Sequence, residues 1–338
     1  MLLVKLPLTL LLCALLARAA TIPQDGTTLY QSDDFGSERI ARPLNTTDDL
    51  TDDLGELEVK YTLSRTILKP ETLFMGIIHA LRELARKDWT EVLDGPLDYP
   101  PQPGFLFTTV TYKNAIGTAS TQNSHLVTVL NRLAVQLKND QTYRGFAFTI
   151  LLDSKELGSG RVFFNPDFTT PSLPPNHNIA VDADPAALYN LTVNDTDTLS
   201  PLPNSEPVPY TYTPFPIPPS PTPPTKAMRE LDTMIAYIFT LATLARRPYS
   251  VHVFRTLFTQ PGIDTVIYLE TGGVMFPQLL LVSGAVGAVW VAAGAMYLES
   301  EWERGLGVTV KRDGREAGEI KVRGANLVAG GGGQVETS

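Results

Sequence analysis

Hydrophobic positions in this chain change period several times, and the changes mark out its elements. Val59, Tyr61 and Leu63 alternate with more polar neighbours, the two-residue period of a strand. From Pro70 the period becomes helical. Leu73, Phe74, Ile77, Ile78, Leu81, Leu84 and Ala85 form one stripe, with Arg82, Glu83, Arg86 and Lys87 mainly on the other face. Pro70 suits the first turn, where a missing N–H costs nothing. A β-rich run from Phe105 to Tyr112 follows, then a second helical stripe through Leu126, Val129, Leu130, Leu133 and Leu137. A hairpin around Asp153-Ser154 closes the series.

The same succession then returns. A helix is expected from about Lys226 to Arg246 and a β-run from Thr265 to Glu270. The closing hairpin pairs Gly307–Arg312 with Glu316–Val322 about Asp313-Gly314, a strong two-residue turn signal because Gly accepts positive φ. Tyr210-Thr211-Tyr212 is a candidate for the leading strand of this second series. The two series match at a fixed offset of 160: between 144–164 and 304–324 seven of twenty-one positions are identical. Ile78, Leu81, Leu84, Ala85 and Arg86 recur as Ile238, Leu241, Leu244, Ala245 and Arg246. Repetition with preserved spacing reads as a duplication. The fold expected is α+β: two tandem α-β-α-β-β repeats, 56–165 and 225–328, each a two-layer sandwich, related by pseudo-twofold symmetry.

One stretch has no polar face. Gln278–Leu298 carries no charge and is long enough to cross a bilayer. Two features count against a span. The offset places it on 118–138, which holds Asn123, His125, Asn131, Arg132 and Lys138, and Glu299, Glu301 and Glu303 follow it where a cytoplasmic flank would be basic. A helix buried inside the protein is the expectation, with a type I membrane anchor through 278–298 as the alternative.

Composition adds a compartment. The chain has 338 residues, length for about two domains. Its net charge of −9 argues against nucleic acid, which calls for a basic stripe. Residues 1–19 have the form of a signal peptide: Lys5, an apolar run from Leu8 to Leu16, and Ala17-Arg18-Ala19. Cleavage would take Lys5 and Arg18, so that −9 becomes −11, and with them Cys13, the only cysteine. A secreted chain without disulfides must rely on its core. Asn45, Asn190 and Asn194 head glycosylation sequons. Residues 20–55 read as an acidic disordered segment, and 166–224, with 16 of the 27 prolines, as a Pro-rich linker. A flexible tail is expected over 329–338.

No catalytic set emerges. His79, His125, His177 and His252 form no local metal pair. His79 aligns with Phe239, which points to packing, and His125 with Ala285. Leu157-Gly158-Ser159-Gly160 sits in a hairpin and reads as a turn or bulge; Gly330–Gly333 lacks the Lys-Ser/Thr of a phosphate loop. Asp153/Asp313 and Glu156/Glu316 recur in both hairpins, where turn formation explains them. No catalytic residue, cofactor or metal is assigned.

The leader, the helix ending Leu84-Ala85-Arg86-Lys87 and the two hairpin patterns around Asp153 and Asp313 resemble a group of secreted proteins of filamentous fungi that carry an internal duplication. The resemblance spans both repeats, about two-thirds of the chain, and implies secretion without naming an activity. The leading expectation is a secreted, non-enzymatic protein binding an extracellular ligand or protein. The alternatives are a hydrolase with its site between the repeats and the membrane-anchored form.

Overall fold

The computed structural model describes residues 39–40, 57–101, 107–115, 120–164, 210–217, 228–271 and 280–324. The first repeat contributes β2 (Leu57–Ile67), α1 (Pro70–Leu84), β3 (Leu97–Tyr99), β4 (Thr109–Asn114), α2 (Asn123–Asn139), β5 (Arg144–Leu152) and β6 (Lys155–Phe163). The second contributes β7 (Tyr210–Pro216), α3 (Glu230–Ala245), β8 (Thr256–Phe258), β9 (Thr265–Thr271), α4 (Val282–Glu299), β10 (Leu306–Arg312) and β11 (Arg315–Gly324). Each is β-α-β-β-α-β-β, so both repeats own the leading strand that the alternation hinted at. Sheet orders are β2-β5-β6-β4-β3 and β7-β10-β11-β9-β8, the same topology twice, all antiparallel. A further two-residue strand, β1 (Arg39–Ile40), pairs with β2, inside the segment expected to be disordered.

Both closing hairpins turn through two residues with positive φ, Asp313 and Gly314 in one and Asp153 and Ser154 in the other. Both then carry a bulge where the register shifts, after Ile150 and after Val310. The Leu157-Gly158 step thus serves strand geometry, as its hairpin position implied.

The two sandwiches meet through their helices. α1 packs on α3, while α1 with α4 and α2 with α3 form equivalent pairs, the pattern a pseudo-twofold axis requires. Glu71 at the start of α1 faces Glu230 at the start of α3, and Trp89, just past α1, lies 5.6 Å beneath the guanidinium of Arg246, which caps α3. The two axial helices therefore run side by side in the same direction. The result is a β/α/α/β stack with one continuous core drawn from both repeats. All described residues belong to one unit, Phe35–Ser338.

This stacking explains α4. Fifteen of its residues are buried, Val282 to Met296 without a gap. It is long and apolar enough to cross a membrane, yet it spends that surface between its own sheet and α1. Gly284 and Gly287 lie where a Cβ would run into the rings of Tyr210 and Tyr212, so the helix sits directly on β7. Its counterpart α2 is also buried on nearly every side, although the sequence gives it Asn123, His125, Thr128, Asn131 and Arg132. Some of that polarity is used structurally. Asn123 Nδ2 donates to the carbonyl of Leu84 at 2.9 Å, and His125 Nδ1 accepts from the N–H of Gln122 at 3.2 Å to cap the helix. The N-caps Gln122 and Leu281 are 159 residues apart, so the partner of His125 is Gly284 rather than Ala285.

β7 lies inside the proline-rich stretch 166–224, so the second repeat starts at Tyr210 rather than 225. It is the outermost strand of its sheet among the described residues. Ile217 N–H donates to Gly305, which directs alternate positions, 214 and 216 among them, outward. Both are proline, and a proline offers no donor to a passing strand. β2, its counterpart, is covered by β1 instead. A Pro214→Val, Pro216→Val variant should self-associate, with dimers and larger species by light scattering where the parent shows none; an unchanged mass would show that these prolines do not guard the edge.

Candidate functional site

The outer face of the first sheet, away from the helices, holds a hollow of about 850 Å³. Strand alternation decides what lines it. Val59, Tyr61, Phe146, Phe148, Val110, Tyr112 and Val162 point inward to the core, leaving their neighbours outside. One outer row runs Thr62–Ala147–Arg161–Thr111–Asp98 across five strands. The next runs Lys60–Thr149–Ser159–Lys113. Arg161 stands on the central strand among small side chains and hydroxyls, with Lys60 and Lys113 at the two ends of the second row, all three exposed. Beneath them, Gly158 and Gly160 leave room on the inner face for the rings of Tyr112 and Phe148.

The duplication supplies a comparison within one molecule. The matching rows on the second sheet are Phe215–Gly307–Lys321–Tyr268–Leu257 and Thr213–Thr309–Glu319–Glu270. There Lys321 Nζ lies 2.5 Å from Glu319 and 3.7 Å from Glu270, and Arg255 stacks over Tyr268 at 5.3 Å. On the second face the central lysine is thus flanked by two carboxylates, and an aromatic ring lies beside it. On the first face Ser159 stands in place of Glu319, Lys113 in place of Glu270 and Thr111 in place of Tyr268. Three cations and one carboxylate thus surround the hollow, in a chain of net charge −9. Such a surface stabilises an anion and offers hydroxyls as hydrogen-bond partners.

A second hollow, about 540 Å³, lies between β7 and the end of α4, against Tyr212, Phe215, Met296 and Arg304. A separate cluster of titratable groups joins the repeats. Glu230 is pushed up to about 7 by burial, by its hydrogen bond with Glu71 and by the charges of Glu71 and Glu303. Neither hollow is lined by Glu71 or Glu230.

The histidines do other work. His79 is buried at 5% exposure against Phe107 and Trp290, its ring centroid 5.3 Å from that of Trp290. Burial, aided by Arg82, holds it down to about 3. His125 caps α2, and burial lowers its pKa too. His252 sits in a backbone bridge to Leu281. Asp153, Asp313, Glu156 and Glu316 are exposed on hairpin tips. Asn45, Asn190, Asn194, His177, Cys13, the 1–19 leader and the 329–338 tail lie outside the described residues. Among the described residues no three His, Cys, Asp or Glu side chains group as metal ligands. No family model, curated protein or solved structure matches the chain.

Proposed function

We propose that the chain is a secreted binding protein, with no chemistry of its own, whose ligand is an anionic, hydroxyl-bearing chain of the acidic-oligosaccharide class held on the outer face of the first sheet. The observation that carries this is the contrast between two faces of one topology. The second sets Glu319 and Glu270 beside Lys321, whereas the first has Ser159 and Lys113 at those two places and lines its hollow with Lys60, Lys113, Arg161, Thr62, Thr111 and Thr149. The leader supports secretion, and with it glycosylation at Asn45, Asn190 and Asn194. The net charge speaks against nucleic acid as the ligand.

Calorimetric titration with oligogalacturonate, a neutral cello-oligosaccharide and polyglutamate tests the reading. Saturable binding of the acidic sugar alone is expected. A Lys113→Glu, Ser159→Glu variant, which installs the residues of the second repeat, should weaken it at least tenfold, since one charge-assisted hydrogen bond is worth ~1.5 kcal/mol or more. Absence of binding, equal binding of polyglutamate, or an indifferent variant each overturns it.

A hydrolase reading has one observation in its favour, the Glu71–Glu230 pair between the repeats. A carboxyl pair sharing a proton can act as acid and base. Neither of the two hollows reaches it. The anchored reading would require α4 to give up fifteen buried residues.

A further inference from the structure

α3 ends at Ala245, and the chain runs Arg246-Arg247-Pro248-Tyr249-Ser250-Val251-His252-Val253-Phe254-Arg255 before β8. The corresponding loop after α1 is Arg86-Lys87-Asp88-Trp89-Thr90-Glu91-Val92-Leu93-Asp94-Gly95. The two share one backbone frame. Leu93 N–H donates to Thr121 at 2.8 Å and Val253 N–H to Leu280 at 2.7 Å. Asn123 N–H donates to Glu91 at 2.8 Å and Val282 N–H to Val251 at 2.9 Å. Leu93 and Val253 are the buried anchors.

On that common frame the chemistry has been inverted. Asp88, Glu91 and Asp94 of the first loop are Pro248, Val251 and Phe254 in the second. In the first loop the carboxylates answer the cations: Glu91 lies 2.6 Å from Lys87, and Glu83 3.3 Å from Arg86. In the second, no Asp or Glu occurs anywhere from 233 to 263; Arg247 stands in place of Lys87, and Arg255, exposed and leaning on Tyr268, stands in place of Gly95. Val251 is 43% exposed and Phe254 65%. Folding gains little from Phe254 in that position, and a rigid loop that holds an aromatic ring out in water between arginines is suited to a surface that takes both. Neither hollow is lined by this loop.

We propose that loop 246–255 docks on an anionic lipid surface. Val251 and Phe254 enter the headgroup layer, and Arg247 and Arg255 meet the lipid phosphates and carboxylates. This is a peripheral contact, independent of α4 and of the sheet face. A bilayer fits better than a protein groove because exposed Val251 and Phe254 and exposed Arg255 share one loop without a carboxylate, and an anionic sheet offers that loop both a charge partner and an apolar layer.

Flotation of the full chain with phosphatidylcholine vesicles, with and without phosphatidylserine, tests it. Binding to the serine-containing vesicles is expected, weakened by salt. Val251→Glu with Phe254→Asp, which restores the first repeat's residues at exposed positions, should reduce it at least tenfold without changing the melting temperature. Arg247→Ala should cost about fivefold. A Phe254→Trp reporter should shift its emission to the blue on those vesicles. Failure of the parent to float, equal flotation of the double variant, or a reporter that does not shift overturns the proposal. So does retention on polyglutamate without flotation, which would indicate an acidic protein partner.

Discussion

Trp290→Ala should lower the unfolding free energy by about 4 kcal/mol. Trp290 is 1% exposed and sits in the middle of α4, yet its ring neighbours belong to the first repeat. Phe107 meets it edge-on at 6.3 Å, His79 tilts against it at 5.3 Å, and the guanidinium of Arg82 lies 5.3 Å above its ring. Truncation removes the apolar burial of a whole indole and leaves a cavity bounded by two repeats. It also strips a nearly buried arginine of its aromatic face, so that among the described residues Arg82 is left with Glu83 at 3.0 Å. Denaturant unfolding of parent and variant would measure the loss. A change below about 1.5 kcal/mol, or two separate transitions in the parent, would show that the repeats are not joined through this cluster.

The same cluster sets the acid limit of stability. His79 ordinarily titrates near 6.5 but is held down to about 3 in the fold. Its folded state thus favours the neutral ring, and the stability linked to it is complete above pH 6.5 and lost as pH falls toward 3. The whole window is worth about 5 kcal/mol. Glu230 works in the opposite sense. Raised from 4.5 to about 7, it contributes stability that is complete below pH 4.5 and disappears as pH climbs through 7. Between pH 4.5 and 6.5 the two slopes oppose each other. Melting temperature should therefore be nearly level there and fall on both sides, more steeply on the acid side. His79→Phe, which copies Phe239 of the second repeat, should reduce the acid limb to the smaller part that buried His125 contributes and leave the other limb unchanged. An acid limb that persists in that variant would assign it to other groups.

Much of the fold was open to reading because the chain states its pattern twice. The offset of 160 between the hairpins and between α1 and α3 is visible residue by residue, and the turn residues Asp313-Gly314 fix a register that Asp153-Ser154 repeats. The burial of α4 was legible for the same reason, since its counterpart carries polar residues. Legibility failed where local pattern and tertiary surroundings part. β3 and β8 are three residues long, too short to show a period. β7 hid among prolines because proline is read as a spacer unless the edge of the sheet is known. α2 looked amphipathic because Asn131 and Arg132 normally face water, whereas both are buried here, Arg132 donating to the carbonyl of Leu57 in β2.

The candidate site was half legible. Ser159 against Glu319 can be read from the 160 offset. Lys113 against Glu270 cannot, because β4 and β9 match at an offset of 157, which only the strand pairing reveals. No linear scan joins Lys60 to Arg161, since what joins them is the alternation of three strands. The inverted loop after α3 was in plain view along the sequence, but its meaning depends on the exposure of Phe254, which only the folded chain supplies.

The shared helical layer also bears on how the protein comes into being. Synthesis proceeds from the N-terminus, so β2 to β6 are complete before any of α3 or α4 exists. Throughout that interval α1 and α2 have a sheet on one side and water on the other, and Phe107 and His79 await a tryptophan still nearly two hundred residues away. A half-made chain of this design is a species with an open apolar flank, the kind that aggregates or recruits a chaperone. The second repeat then arrives as the first one's cover, so the nascent chain is at greatest risk just before its own duplicate reaches it.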